Sequence, residues 1–272
     1  MASPERTSHS STSSSAEKLI GQLSTSVFSN FCLPEREDIR SDVHLIYKLY
    51  DLQKLVRFSG QRHWEEETES DGSNPGKLYL ENVAAHSYQV ARSVSLLAPH
   101  FPWVDIARAT ELALFHDEPE IVTGDKDPVG IDGQGNMTHA FDDVKRREKD
   151  EEERKAIDIL AAGMRPSIRE RYRRMLAELI EDSTVESQFV KAVDKLQSLA
   201  FVRLKKGGKI TTEHAAFTIR HSRIGVNRFP PLQGHFMCVL RDLLEDVASA
   251  RPGGLDDFCA ATWSRLKDAS KP

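Results

Sequence analysis

The sequence predicts an all-α fold, a bundle of packed helices. Three observations predict it. Apolar residues recur at three- and four-residue spacing through most of the chain, clusters of Gly, Pro, Asn and Asp punctuate those stretches, and the alternating pattern of a half-buried strand is nearly absent. The 272 residues are enough for a sizeable core; apolar residues make up 39% against 29% charged, and no apolar run is long enough to span a bilayer. A net charge of −5 argues against a general polyanion-binding surface, so neither a nucleic-acid polymer nor a membrane is an expected partner, while a local basic pocket could still hold a small phosphate. Cys32, Cys238 and Cys259 lie far apart and form no CxxC or Cys/His zinc spacing, which fits a reducing, cytoplasmic compartment.

Residues 1–16 are Ser/Thr-rich without an apolar core and read as a disordered tail; the hydroxyl content would suit a transit peptide, but Glu5, Glu17 and the single Arg6 do not. Residues 17–272 read as one domain. A helix is predicted over 35–57, with Ile39, Val43, Ile46, Leu49 and Leu52 on one stripe. The stretch RHWEEETESDGSNPGK is polar and turn-rich, so it predicts an exposed loop. Asn82 caps the next helix, running to about residue 98 with His86, Val90, Val94 and Leu97 on one stripe. Pro102 sits near the start of a helix ending around residue 120. TGDKDPVGIDGQGN cannot continue a helix. A charged helix follows over 137–163, its mixed-sign run DDVKRREKDEEERK reading as a solvated face with ion pairs. Further helices are predicted over 166–182, over 185–206 with a stop at Gly207-Gly208, over 235–248 and over 255–266.

Three polar insertions interrupt apolar helix faces. His86, in ENVAAHSYQVARSVSLL, is the first; a lone histidine on such a face is usually structural. The second is His116-Asp117. Ile106, Ala109, Ala113 and His116 share a stripe, which points the imidazole inward, and Asp117 faces the negative end of the helix dipole, a poor place for a buried carboxylate unless a cation is present. The third is Asp194, in SQFVKAVDKLQSLAFV, a weak helix former between Val190 and Leu196; a surface salt bridge with Lys191 or Lys195 is its plain alternative. Two imidazoles and two carboxylates suit a divalent transition metal or magnesium better than a thiolate-loving ion, and they leave room for water and a phosphate oxygen. Glu120, three residues beyond Asp117, returns to nearly the same face if the helix persists and could take a proton from the attacking water. Asp125 follows Gly124, whose freedom permits a turn back toward the site; it could protonate a leaving alkoxide or hold a sugar hydroxyl.

The ordered set His86 … His116-Asp117 … Asp194 resembles the H…HD…D pattern of the HD superfamily. ENVAAHSYQVA, HDEPEIVTGD and SQFVKAVDKLQSLAFV resemble, more specifically, the corresponding segments of the YfbR-like 5'-deoxynucleotidases, over about 45–217. The resemblance implies an HD-domain helical bundle with a divalent metal site between helices. It also implies a homodimer that removes phosphate from (deoxy)nucleoside 5'-monophosphates by metal-activated water attack. It assigns His86, His116, Asp117 and Asp194 to one divalent ion (cobalt, manganese, magnesium, nickel, zinc or iron), Glu120 to the attacking water, and Asp125 to the sugar and scissile phosphate. The family's phosphate-gripping arginine, followed by an aromatic residue, is matched by Arg57-Phe58, with Arg62 and Trp64 as the rival pair.

The chain departs from the family at an insertion over 65–77, in KDPVGIDGQGN after Asp125, and over 218–272, which reads as a divergent helical extension. These departures keep a (d)NTP triphosphohydrolase open, with Lys126, Arg203 and Lys205 as candidate polyphosphate contacts. A nucleotide-binding regulatory protein that has kept the fold is the non-enzymatic alternative.

Overall fold

The computed structural model describes residues 18–19, 35–67 and 79–268. The expected tail over 1–16, most of the insertion over 65–77, and Cys32 lie outside the described residues. The chain divides into Met1–Ile39 and Arg40–Pro272. In the first part, Lys18, Leu19 and residues 36–39 are helical among the described residues. Apart from the opening residues of the first helix, the second part holds the elements described below. It is all-α; among the described residues the extended pairing is one isolated antiparallel bridge, Val56 with Asn82. No helix of the described residues is long and apolar enough to cross a membrane.

Helix α1 spans Arg36–Leu49 and runs into a 3-10 turn over Tyr50–Lys54, so the helix predicted over 35–57 ends early. It buries no residue: Val43, Ile46 and Tyr47 stay exposed, and Leu52 in the following turn is buried instead. A second 3-10 segment covers Arg62–Glu67. Helix α2 (Val83–Leu97) starts where the sequence places it, because the Asn82 side chain accepts the Ala85 amide proton at 2.9 Å. Helix α3 (Ile106–Phe115) is capped by Asp105 rather than opened by Pro102. The helix does not persist through His116-Asp117. The chain turns there, and Pro119 restarts a single turn, α4, over Glu120–Thr123.

Asp142, whose carboxylate accepts the amides of Val144 and Lys145, sets the start of α5 (Asp143–Ala162), several residues later than the predicted start at 137. Helices α6 (Pro166–Glu181) and α7 (Val185–Lys206) match their predicted bounds, with a Thr184–Ser187 capping box opening α7. Helix α8 (Thr212–Val226) was not among the predicted elements, although Thr211 caps it in the usual way. Helices α9 (Gln233–Ala250) and α10 (Leu255–Asp268) complete the chain.

Helix α7 is the hub. It packs against α2, α3, α6, α8 and α9, so it is apolar on more than one face: Phe189, Val190, Val193, Leu199 and Val202 are all buried. A polar residue on this helix is therefore carried into the interior. Gly225 lets α8 approach α7 closely; a Cβ built there would lie 2.2 Å from Lys195 Cγ and 2.7 Å from Lys195 Cβ. The close approach brings α8 beside the segment that carries Asp194.

Two predictions follow from this packing. Gly225→Ala should push α8 from α7 and destabilise the fold by about 1–3 kcal/mol, as overpacking does. Thermal unfolding should register it as a midpoint lowered by at least ~2 °C, and an unchanged midpoint would refute the tight contact. The second concerns Glu118, buried beside Tyr172, where burial pushes the carboxyl up to about 7. A folded-state pKa raised above the unfolded value means that stability is lost as pH rises from about 4.5 through about 7. Glu118→Gln should remove that loss, so the variant gains on wild type between those two pH values and holds the gain above them. Parallel denaturation curves across that range would contradict the assignment.

Candidate metal centre

The centre is assembled from the first turns of α2, the end of α3 and the middle of α7. His86 is fully buried on α2. Its Nε2 lies 3.4 Å from His116 Nε2, 3.5 Å from Asp117 Oδ2 and 3.2 Å from Asp194 Oδ1. His116 stands at the C-terminal cap of α3, and its other ring nitrogen, Nδ1, donates to the Ala113 carbonyl at 2.7 Å. That bond fixes the tautomer of the neutral ring and leaves a lone pair on Nε2, 3.3 Å from Asp117 Oδ2. His86, His116 and Asp117 thus form a group that could hold a metal ion, with one ligand atom each, all within 4.8 Å of one another.

The donor set fits a cation. Asp194 Oδ1, 3.2 Å from His86 Nε2, is buried with no hydrogen-bond partner. Burial works against ionisation of Asp117 and Asp194; His116 beside Asp117, and Lys195 and His86 beside Asp194, outweigh it, so both carboxyls sit below the usual range. Burial likewise opposes charge on His116, but Asp117 and Asp194 draw its pKa upward. The carboxylates pull for positive charge at this spot. A proton answers partly and a divalent ion fully. The plain alternative for Asp194 is also partly realised, since Lys195 Nζ lies 2.9 Å from its other oxygen.

The centre opens on a cleft of about 230 Å³. Glu120 and Asp125 both line it. Glu120 reaches it through the restarted turn α4 rather than through a continuous helix. Its Oε2 is buried and unpartnered, and burial, then Asp117 and Asp125, hold its carboxyl well above the ordinary value. Asp125 follows Gly124, which adopts φ 74, ψ 162, a conformation that L side chains rarely enter. Asp125 Oδ2 accepts the Phe58 amide at 3.2 Å. Burial raises its pKa, and Arg57 pulls the other way.

Arg57 and Arg62 part company. The bridge at Val56–Asn82 ties Arg57 to the start of α2, its amide donating to the Glu81 carbonyl at 2.9 Å. The guanidinium is buried and lines the cleft. Burial opposes its charge, but Asp194, Asp117, Glu81 and Asp125 overcome it and hold the group firmly ionised. Phe58 adopts φ 64, a conformation that costs a non-glycine residue about 1–2 kcal/mol. The Asp125 bond and a stack on Phe201, centroids 5.5 Å apart, hold it there. Arg62 instead faces Glu213 at 3.5 Å, and Trp64 is buried against Phe58, Phe201 and His214; neither lines the cleft. Of the residues marked for a polyphosphate, Lys126 lines the cleft, whereas Arg203 is bound to Asp246 and neither it nor Lys205 lines the cleft.

Sequence reasoning missed Lys149, His139 and His221 on the cleft wall, and Glu81 and Gln197 against the His86 ring. Gln197 had a signal, being three residues after Asp194 and so on the same helix face. His139 and His221 had none, because one comes from a loop and the other from the unpredicted α8. Burial and the neighbouring lysines hold both imidazoles below their ordinary pKa, His139 at about 3.

Among curated proteins, none matches the sequence significantly. Of solved structures, a predicted metal-dependent phosphohydrolase from Magnetospirillum magnetotacticum MS-1 superposes with a TM-score of 0.51 at 21% identity, covering 76% of this chain and 97% of its own; this likeness shows the fold. A Pyrococcus horikoshii OT3 protein gives 0.49 at 18% identity, over 74% of this chain and 99% of its own. A conserved hypothetical protein from Pyrococcus furiosus gives 0.43 at 22%, over 69% and 99%. The profile of the HD domain matches residues 74–228, more than half of the sequence and the stretch containing His86, His116, Asp117 and Asp194, and the chain therefore belongs to the HD-domain family.

Proposed function

We propose that this protein is a metal-dependent phosphohydrolase that removes phosphate from (deoxy)nucleoside 5'-monophosphates. One observation carries the reading: two imidazole nitrogens and two carboxylate oxygens meet at one point, where His116, Asp117 and Asp194 share a cleft wall with a buried, ionised arginine and His86 is fully buried against them. Membership of the HD-domain family supports it, and the Magnetospirillum protein's description points the same way. His86, His116, Asp117 and Asp194 would hold one divalent cation. Bound there, such a cation acidifies water and offsets charge on a phosphoryl group.

The chain's own groups supply the rest. Arg57, held ionised by four surrounding carboxylates, grips the phosphoryl oxygens with a planar fork. Glu120 has an uncommitted buried oxygen and a raised pKa, so it is suited to exchange a proton with the attacking water. Asp125, oriented by the Phe58 amide and also raised, is suited to hold a sugar hydroxyl or return a proton to the leaving alkoxide. A cleft of about 230 Å³ takes a small phosphate ester rather than a polymer. Lys126 and Lys149 on the same wall favour a second reading, a nucleoside triphosphate substrate. The exposed Val43, Ile46, Tyr47 and Tyr50 support the homodimer that the family resemblance implies.

Phosphate release from a panel of nucleoside mono-, di- and triphosphates, with and without added Mn²⁺ after chelation, tests the reading. Release from monophosphates that disappears on chelation is the expected result; equal rates in stripped protein would overturn it, and tripolyphosphate from triphosphates would select the second reading. Glu120→Gln should lower kcat by about 10²–10⁴-fold while leaving Mn²⁺ uptake intact. Turnover equal to wild type on every nucleotide would remove Glu120 from the chemistry and favour a regulatory binding protein.

A further inference from the structure

We propose that Glu81, seconded by Gln197, is a positioning residue that fixes the ring of His86 so that its Nε2 lone pair faces the cation; this rests on the metal reading above. Glu81 is the residue before the Asn82 cap of α2, and its side chain is almost completely buried. Its Oε2 lies 3.0 Å from His86 Nδ1 and accepts from Arg57 Nη1 at 3.3 Å, while its Oε1 accepts from Gln197 Nε2 at 3.1 Å. The other end of the Gln197 amide returns to the ring, Oε1 lying 3.0 Å from the same Nδ1. Four side chains from three segments therefore close a small network on the ring nitrogen that faces away from the centre.

The network decides the tautomer. Two acceptors, a carboxylate oxygen and an amide oxygen, converge on Nδ1, and so Nδ1 carries the proton. Arg57 Nη1 lies nearer to Nδ1 than either acceptor, at 2.5 Å, and as a donor it favours the opposite tautomer. Nη1 carries two protons and can give one to the charged Glu81 oxygen that it faces at 3.3 Å, while two acceptors converge on Nδ1 against this one donor. The Gln197 amide orientation is fixed by the same logic, since its nitrogen must donate to Glu81 and only its oxygen can meet the ring. With Nδ1 protonated, Nε2 keeps its lone pair toward His116, Asp117 and Asp194. A carboxylate on the far nitrogen also makes the ring a stronger donor, an effect whose loss typically weakens metal affinity 10–100-fold. Gln197 joins because it lies one helical turn beyond Asp194, so α7 supplies a ligand and the brace for another ligand from one face.

Mn²⁺ titrated calorimetrically into stripped full-length protein is the test, with the ¹⁵N spectrum of the His86 ring as a second readout. Glu81→Gln should bind Mn²⁺ about 10–100-fold more weakly than wild type, with near-UV circular dichroism unchanged. If that variant fails to fold, Gln197→Leu, which removes one of the two acceptors, should still weaken binding several-fold. The stripped wild-type protein should show His86 protonated on Nδ1. Wild-type affinity in a folded Glu81→Gln or Gln197→Leu variant, or a His86 ring protonated on Nε2, would overturn the proposal while leaving the metal reading standing. A wild-type protein that takes up no Mn²⁺ would instead sink the metal reading itself, and the proposal with it.

Discussion

Two imidazole lone pairs and two carboxylates aimed at one buried point cannot rest together without positive charge. Lone pairs facing one another across 3.4 Å, with carboxylate oxygens at 3.2 and 3.5 Å, repel unless a proton or a metal ion sits among them. That constraint explains the rest of the cleft. Asp194 accepts partial compensation from Lys195, Arg57 is buried yet firmly charged, and burial, with Asp117 and Asp125 alongside, holds the Glu120 carboxyl above its ordinary value.

The fold exists, at this level, to hold that unfavourable cluster still. Packed against five helices, α7 leaves Asp194 little room to relax, and the tight approach of α8 at Gly225 crowds the neighbouring Lys195. The break of α3 at His116 serves the same end. A continuous helix would leave the His116-Asp117 carbonyls in the ladder; the turn instead frees Asp117 to swing toward His86 and lets Pro119 restart α4 with Glu120 on the cleft wall. Strain at Phe58 and the left-handed turn at Gly124 are tied to each other through the Asp125 bond, so two irregular segments brace the cleft's rim.

Much of this was legible in the sequence, and for identifiable reasons. Asn82 and the Gly207-Gly208 pair are strong end signals, so the start of α2 and the end of α7 fall where the pattern puts them. The positions proposed as ligands stand out in the sequence because they interrupt apolar helix faces, and an apolar face predicts burial. The misses are equally physical. Helix α1 has the apolar stripe but buries nothing, because periodicity reports amphipathicity and not the presence of a covering surface. The single-turn α4 is too short to show a period. Helix α8 is broken in pattern by buried His214, Thr218 and Ser222, which disguise an interior helix as a polar one. Glu81 was passed over because a carboxylate just before a cap reads as an ordinary helix-start acid, and its role depends on a partner 116 residues away.

The most direct test of the central claim is the metal content of the purified protein after equilibrium dialysis against a divalent ion such as Mn²⁺. One ion bound per chain in the wild type, lost or sharply reduced in both His116→Ala and Asp194→Ala while the fold persists, is the outcome predicted by convergence of these side chains on one cation. Unchanged uptake in both folded variants would contradict it.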